Sequence, residues 1–509
     1  MKINIEKNFR ANFITGVLYR MLAMLAPFII RTIIIKKLGL EYAGVSSLFT
    51  SVLQALSLAE LGFGSAMVFN MYTAVANNDK DKLCAYTAFY RKVYRIIGLV
   101  VLSAGLCILP FIKHLIKGSY PQEINIYVIY LIYLLNTVLS YWFFAYKNSV
   151  ALAYQRTDIS LTVSIIAEFL LYGFQIWVLA AFRDFYIYAI LLPLSTVLKN
   201  ILTGIWVDRK YKDIRPEGEL GRTESKKIFD DVKALFGHQV AFTVINSVDN
   251  MVISRMLGLD HVTIYNNYYY IINAAIGIMT MFFHSLQAGI GNDLIVNEEG
   301  KYKNFKRFRL TTILVIQMGA VCIYAIMQEF IRIWMGEKLM MDEGFVLLFV
   351  IGFYVTQVRR IVTTYKNAAG MWKQDMIKPY IVIAVDLILD LILIYRIDSR
   401  GAMLSTIISM GLIALPWETI VLYKGLFKKN PFEYFGFLLY HTMVLAFSLL
   451  IVWKAAQCFT IGGIPGLIIR LGCVVIFESI VLLLFNISNK DMKWMIDKAL
   501  GFVCAWRKK

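Results

Sequence analysis

Apolar stretches long enough to cross a lipid bilayer recur from one end of this chain to the other. A helix needs about 20 apolar residues to cross roughly 30 Å of hydrocarbon. Only 17% of the residues are charged, against about 25% in soluble domains. The sequence therefore predicts an all-α polytopic membrane protein. Its fourteen candidate helices lie at approximately 13–35, 42–70, 93–112, 124–145, 159–182, 186–207, 235–257, 262–290, 308–330, 344–365, 377–396, 401–423, 434–456 and 464–486.

The basic residues follow the order of the apolar stretches. If the N-terminus is cytoplasmic, the cytoplasmic segments hold most of the Lys and Arg residues, including Lys366 and Lys378. This bias is the positive-inside rule, and it predicts that both termini face the cytoplasm. It also accounts for the net charge of +18 without a nucleic-acid partner. The first apolar stretch has no small-residue cleavage site, so we expect it to be an uncleaved helix.

Two short motifs recur at one separation along the chain. LGLE at Leu38 returns as LGLD at Leu257, and YKN at Tyr146 returns as YKN at Tyr365, each 219 residues later. Two unrelated matches at the same offset indicate a duplication. The glycine of each LGL motif follows an apolar stretch, and we expect it to end a helix in a conformation that favours glycine.

The duplication predicts two lobes of six helices. Six is an even number, so both copies have the same orientation in the bilayer and form a parallel repeat. We expect these lobes to face a central cavity, with two further helices appended. The predicted limits are 1–208 for the N-lobe, 209–233 for a cytoplasmic linker, 234–430 for the C-lobe, and 431–509 for helices 13 and 14 with the cytoplasmic tail.

Charged and polar residues inside the first helix of each lobe are candidate substrate-binding residues. Arg20 and Arg31 are eleven residues apart, which places them on one helix face. The offset of 219 residues maps them to Gln239 and Asn250. One interpretation is a cavity that attracts an anionic headgroup, since arginine suits phosphate. The alternative is that Arg31 reaches the outer surface and Arg20 pairs with a carboxylate such as Glu60.

Two further arginines, Arg359 and Arg360, lie late in the tenth candidate helix, 344–365. The functional interpretation is that at least one of them faces the interior of the protein and binds substrate. The alternative is that both side chains extend toward the cytoplasmic surface.

Four acidic residues in or near predicted spans are candidates for ion coupling. Asp386 and Asp390 occupy one face of the eleventh candidate helix, 377–396, where two close carboxylates should not both ionise. The alternative is an ordinary polar contact with a neighbouring helix. Asp249 and Glu60 complete the set, because intramembrane acids are functional candidates by default.

Several functional classes lack their sequence signatures here. The chain has no G-x-x-x-x-G-K-[ST] motif, so we expect no ATP hydrolysis through a P-loop. The DKD sequence at Asp79 lies in a short connection with no room for a nucleotide-sugar domain, and the five His residues form no metal motif with Cys. The sequence predicts a transporter, with neither a metal nor a cofactor.

Two segments carry a family resemblance. RTIIIKKLGLEYAGVSSLFTSVLQALSLAELGFGSAM from Arg31 and YRKVYRIIGLVV from Tyr90 resemble the polysaccharide transporter branch of the multidrug/oligosaccharidyl-lipid/polysaccharide superfamily. This branch contains the Wzx-type flippases for O-antigen and capsule repeat units, and the resemblance covers most of the chain. Relatives that flip peptidoglycan precursor use intramembrane arginines in their first helices, which match Arg20 and Arg31.

The resemblance implies a function in a bacterial cytoplasmic membrane. It implies that an undecaprenyl-pyrophosphate-linked oligosaccharide is moved from the cytoplasmic to the outer leaflet by alternating access, with coupling to H⁺ or Na⁺ left open. The expected partners are the lipid-linked oligosaccharide, membrane lipids, and the polysaccharide polymerase and glycosyltransferases of the same pathway. The alternatives are a cation-coupled multidrug exporter of the same superfamily and, from another class, a membrane-embedded glycan polymerase or ligase.

Overall fold

The protein is helical throughout the part of the chain described by the computed structural model. That part comprises residues 5–60, 63–296, 300–371, 373–457 and 461–497, and no β-strand occurs in it. The helices are α1 Ile5–Lys37, α2 Leu40–Leu56, α3 Phe63–Ala76, α4 Lys80–Ile108, α5 Ile126–Tyr141, α6 Asn148–Ala153, α7 Thr157–Ala181, α8 Phe185–Lys210, α9 Arg222–Met256, α10 Leu259–Val296, α11 Lys301–Met335, α12 Glu343–Ala368, α13 Lys378–Ile397, α14 Arg400–Ile408, α15 Leu415–Leu422, α16 Phe432–Gln457 and α17 Gly463–Asn486.

Nine helical segments among the described residues are long and apolar enough to cross a membrane. A tenth span arises if α5 and the bent helical segment Ala145–Ala153, which includes α6, are counted together. The predicted all-α polytopic class is therefore confirmed. The predicted count of fourteen spans is not confirmed.

The second predicted span, 42–70, is divided in the structure. Helix α2 ends at Leu56, a 3₁₀ turn covers Ser57–Glu60, and α3 begins at Phe63. The Ser57 hydroxyl donates a hydrogen bond of 2.9 Å to the Leu53 carbonyl. Such side-chain bonds to the preceding turn compete with regular helix and often bend it.

The chain divides into two compact units, Met1–Thr263 and Ile264–Lys509. In the first unit α1 packs against α2 and α7, α5 packs against α4 and α8, and α2 packs against α5 and α9. The ring of Phe49 lies edge-on to those of Tyr130 and Tyr133, at 5.4 Å and 5.9 Å between centroids. The predicted limits of the lobes stay predictions.

The two LGL motifs form the same turn. Helices α1 and α9 end just before them, and the glycine N–H bonds the carbonyl five residues earlier. These hydrogen bonds run from Gly39 to Ile34 at 3.1 Å and from Gly258 to Ile253 at 3.2 Å. Both glycines have positive φ, +124° and +106°, a region that glycine enters without steric penalty. The predicted helix-ending role of these glycines is confirmed.

The segment between α8 and α9 lies against α4. Its non-helical part spans 211–221, and it belongs to the first unit. Asp213 accepts a hydrogen bond of 2.6 Å from Lys80 Nζ, and this contact lowers the pKa of the Asp213 carboxyl. Arg91 donates to the Pro216 carbonyl at 3.2 Å. The segment is thus attached to α4 at two points.

In the second unit α11 packs against α12, α16 and α17, and α12 packs against α14 and α15. The helical path from Arg400 to Phe427 contains two π-helical segments, Ser409–Ala414 and Tyr423–Phe427. Aromatic side chains fill the space where α11, α12 and α16 meet. The ring of Phe305 lies 4.9 Å from that of Tyr365 and 4.8 Å from that of Phe427.

Candidate functional site

Helix α1 presents one strongly apolar face. Large apolar side chains along it are more than half exposed and recur every three or four residues, which is the spacing of a single helix face. In a membrane helix a face of this kind contacts lipid acyl chains. Its members are Ile14, Leu18, Met21, Leu25 and Ile29.

Arg20 lies away from this apolar face. At about 100° per residue, Arg20 is about 140° from Leu25 and about 180° from Ile29 around the helix. Its side chain is exposed and makes no hydrogen bond or ion pair with the residues that the structure describes. The neighbouring Tyr19 donates a hydrogen bond of 3.1 Å to Glu168. Arg20 is therefore an uncompensated cation in a predicted span, on a face other than the lipid-facing one.

Arg31, on the same face of α1, has protein partners. It is 5% exposed, and it donates to Ser47 Oγ at 3.1 Å and to the Thr263 carbonyl at 2.9 Å. Asn250 of α9 donates to Ser51 Oγ at 2.8 Å. Ser47 and Ser51 are one turn apart on α2, so this helix receives polar side chains from both α1 and α9. The side chain of Gln239 lies outside the described residues.

Glu60 is linked to tyrosines of α4. It accepts a hydrogen bond of 2.6 Å from the Tyr94 hydroxyl, which in turn accepts one of 2.6 Å from Tyr90. The sequence reasoning missed these tyrosines, although their spacing of four residues puts them on one helix face. Glu60 is thus engaged by hydroxyls, and an ion pair with Arg20 is absent among the described contacts.

The three candidate aspartates are buried and lie in α9 and α13. Asp249 is 7% exposed, and Asp386 and Asp390 are 2% and 0% exposed. Asp386 accepts a hydrogen bond of 2.7 Å from Ser409, and Asp390 accepts one from Ser405. The two serines are spaced like the two aspartates, so hydroxyl donors and carboxylates pair along the contact of α13 with the following helical segments. Their predicted role in ion coupling stays a prediction.

The two arginines late in α12 have different partners. Arg359 forms an ion pair of 3.0 Å with Glu418. Arg360 donates a hydrogen bond of 2.5 Å to Thr280 Oγ1, and its guanidinium lies 5.9 Å from the ring centroid of Phe283. Among the described residues no carboxylate pairs with Arg360. The charge of Arg359 is balanced locally, and that of Arg360 is not.

A buried ionic cluster surrounds Glu418. Lys378 contacts both Glu418 and Asp375, and Lys366 contacts Asp375. Lys366 and Lys378 are 1% and 4% exposed, so their charges are balanced inside this cluster, and their predicted place in a cytoplasmic segment stays a prediction. The sequence separates these residues by up to 52 positions, and the only local signal was an acidic residue, Glu418, inside an apolar stretch.

Known proteins share this fold. A family model described as "Polysaccharide biosynthesis protein" matches residues 9–286, and no curated protein matches the chain. Among solved structures, the lipid II flippase MurJ in an inward closed conformation has a TM-score of 0.67 and 15% identity, covering 94% of this chain and 98% of that one.

Transporters of the multidrug resistance MATE family are also similar. An inward-facing member of the MOP superfamily has a TM-score of 0.60 and 14% identity, covering 79% of this chain and 95% of that one. The Vibrio cholerae transporter VcmN has a TM-score of 0.57 and 13% identity, covering 83% and 98%. These neighbours are transporters, and at such identities they show the fold. With more than half of its 509 residues matched by the family model, the chain belongs to the family described as polysaccharide biosynthesis protein.

Proposed function

We propose that the protein is a secondary transporter that flips an undecaprenyl-pyrophosphate-linked oligosaccharide by alternating access. In this proposal the repeat unit moves from the cytoplasmic to the outer leaflet of a bacterial cytoplasmic membrane, and both termini are cytoplasmic. The family description supports a role in surface polysaccharide biosynthesis. The shared fold with a lipid II flippase supports a lipid-linked substrate. Polysaccharide polymerase and glycosyltransferases of the same pathway are the proposed protein partners.

The observation that carries the proposal is the position of Arg20. A charged side chain in the hydrocarbon costs several kcal/mol, so such residues face a polar path or a partner. Arg20 is exposed, lacks a partner among the described residues, and points away from the apolar face of α1. A pyrophosphate offers several anionic oxygens, which the planar guanidinium binds through paired hydrogen bonds. Arg20 is the proposed contact for that group.

Arg360 is the proposed second contact for the anionic substrate. Its single hydrogen bond to Thr280 Oγ1 leaves other guanidinium donors for a ligand, and its charge has no ion-pair partner among the described residues. Asp249, Asp386 and Asp390 are proposed to couple transport to H⁺ or Na⁺. Buried carboxylates that accept from serine hydroxyls suit reversible loss and gain of a cation.

A flipping assay with three variants tests the role of Arg20. The full chain is reconstituted in vesicles that contain a fluorescent polyprenyl-pyrophosphate oligosaccharide. The rate at which the glycan becomes accessible to a membrane-impermeant oxidant is then measured. Loss of a hydrogen bond to a charged group is worth about 1.5–3 kcal/mol, so Arg20→Ala should slow flipping by about tenfold or more. Arg20→Lys should be intermediate, and Met21→Ala, on the apolar face, should match the wild type.

The same vesicles separate the alternatives. Wild-type flipping by Arg20→Ala at normal protein level would remove Arg20 from the substrate path. Efflux of cationic drugs without flipping would identify a multidrug exporter, and extension of the glycan chain by the purified protein would identify a polymerase.

A further inference from the structure

A basic and aromatic cavity lies where α4 meets the end of α5, and its lining includes neither Arg20 nor Arg31 of α1. Its volume is about 570 Å³, and its walls include Arg91, Arg95, Leu99, Trp142, Phe143 and Phe144. All of these residues belong to the first unit. On α4 the two arginines lie between the polar first turn at Lys80 and the apolar sequence that follows Arg95. The cavity is therefore expected at the depth where lipid headgroups meet acyl chains.

The backbone at this cavity adopts a rare conformation. After α5 ends at Tyr141, Phe143 and Phe144 both have positive φ, +47° and +70°, which is unusual for bulky residues. Their rings remain 48% and 44% exposed. Strained backbone of this kind concentrates at ligand-binding and switch sites. Here its effect is to hold two aromatic rings at the cavity instead of inside the protein.

Two residues that line the cavity carry polar donors without a full set of partners. Arg95 is exposed and has no hydrogen bond or ion pair to any residue that the structure describes. The indole Nε1 of Trp142 is buried and has no hydrogen-bond acceptor among those residues. Buried polar groups in native proteins nearly always have a partner. Of these two donors, the exposed guanidinium of Arg95 is the one that a ligand with acceptor oxygens can reach.

Arg91, which also lines the cavity, is bound to the protein. It donates to the Pro216 carbonyl, so it also connects the cavity to the segment 211–221. Gly98 allows the indole of Trp142 to lie directly on α4, because a Cβ at this position would overlap Nε1. Arg91 and Trp142 are thus held in place by the fold, whereas Arg95 is free to bind a ligand.

We propose that this cavity binds the phosphate headgroup of a membrane lipid. Arg95 donates to the phosphate oxygens, and an acyl or prenyl chain lies along Leu99, the Trp142 indole and the two phenylalanine rings. A soluble anion would accept hydrogen bonds in this cavity but would leave the apolar walls without a ligand chain to cover them. The phosphate belongs either to an anionic glycerophospholipid or to a polyprenyl diphosphate. This inference concerns residues other than those proposed to contact the transported substrate, and it does not depend on the flipping activity.

Lipid retention by the purified full chain tests the proposal. Delipidated protein is titrated in detergent with phosphatidylglycerol, with polyprenyl diphosphate, or with inorganic pyrophosphate, and bound ligand is counted by native mass spectrometry. Arg95→Gln should weaken binding of the lipid phosphate by about tenfold, the effect of one charge-assisted hydrogen bond. Lys92→Gln is the matched control, because Lys92 is exposed on α4 and does not line the cavity.

Quenching of tryptophan fluorescence by lipids with brominated acyl chains provides a second measurement. The chain has nine tryptophans, so Trp142→Phe should reduce the quenched part of the emission by the contribution of Trp142, and Arg95→Gln should reduce it as well. Tighter binding of phosphatidylglycerol identifies a phospholipid site, and tighter binding of polyprenyl diphosphate identifies a site for the carrier lipid. Inorganic pyrophosphate that binds as tightly as either lipid overturns the proposal. Equal losses in Arg95→Gln and Lys92→Gln, or none in either, also overturn it.

Discussion

Arg31 and Thr263 lie 232 residues apart in the sequence, and Nη2 of Arg31 donates a hydrogen bond of 2.9 Å to the Thr263 carbonyl. Thr263 in turn donates through Oγ1 to the Leu40 carbonyl at 2.8 Å. Thr263, in the first turns of α10, is thus hydrogen-bonded both to Arg31 of α1 and to the first residue of α2. These contacts indicate that Arg31 stabilises the first unit, in contrast to Arg20 on the same helix face.

We expect Arg31→Ala to destabilise the protein more than Arg20→Ala. Removal of Arg31 leaves the buried Thr263 carbonyl without this donor, at a cost of about 1–3 kcal/mol. Arg20 has no such partner, and substitutions at such positions are usually within about 0.5 kcal/mol. Thermal unfolding of both variants in one detergent measures the difference. Equal melting temperatures would show that the Arg31 contacts contribute little.

The comparison of these two arginines shows what local sequence predicts and what it omits. The spacing of eleven residues places Arg20 and Arg31 on one face because a helix has a fixed period, and apolar length predicts the membrane class. The partner of Arg31 lies in another helix far along the chain, and no local pattern encodes it. The same reason explains why the sequence does not show the ion pairs of Lys366 and Lys378, since their carboxylate partners Asp375 and Glu418 come together only in the folded unit.

A close approach between α2 and the start of α10 predicts that Gly44 tolerates no side chain. A Cβ at Gly44 would lie 2.5 Å from the carbonyl oxygen and 2.8 Å from the Cβ of Leu259. Since backbone must move to accept it, Gly44→Ala should lower the yield of folded protein and the melting temperature. Overpacking of this kind costs typically about 1–3 kcal/mol.

The control for Gly44 is Gly173 in α7, where a Cβ would meet nothing within 4 Å. Alanine has a higher helix propensity than glycine, by about 1 kcal/mol in soluble hosts, so Gly173→Ala should be neutral or stabilising. Size-exclusion profiles of fluorescently tagged variants after heating measure both. If Gly44→Ala and Gly173→Ala give the same size-exclusion profiles after heating, the close contact at Gly44 does not limit the packing of α2 against the start of α10.

Loss of Glu418 should be severe. Glu418 is 1% exposed and contacts Arg359 at 3.0 Å, Lys378, and the Thr363 hydroxyl at 2.7 Å. Breaking a buried ion pair by removing one partner typically costs about 3–5 kcal/mol, because the other charge stays buried. Glu418→Gln should therefore reduce the amount of folded protein, as measured by the monodisperse fraction after solubilisation.

An exposed ion pair serves as the control for Glu418. Glu337 lies 3.8 Å from Arg332, and its side chain is 81% exposed. Surface pairs contribute about 0–1 kcal/mol, so Glu337→Gln should leave the folded fraction close to that of the wild type. If Glu418→Gln and Glu337→Gln lower the folded fraction by similar amounts, the burial of Glu418 does not determine how much it contributes to stability.

The adjacent pair Arg359 and Arg360 should separate stability from transport. Arg359→Gln removes a partner of buried Glu418, so it should lower the melting temperature. Arg360→Gln removes a cation that has one hydrogen bond, to Thr280, and no ion pair among the described residues. It should keep the melting temperature and slow flipping of the fluorescent lipid-linked glycan by about tenfold, as expected for one lost charge-assisted contact. Normal flipping by Arg360→Gln would contradict its proposed contact with the substrate. A fall in melting temperature equal to that of Arg359→Gln would instead assign Arg360 a structural role. Its charge would then stabilise the folded second unit and would not be available to bind a ligand.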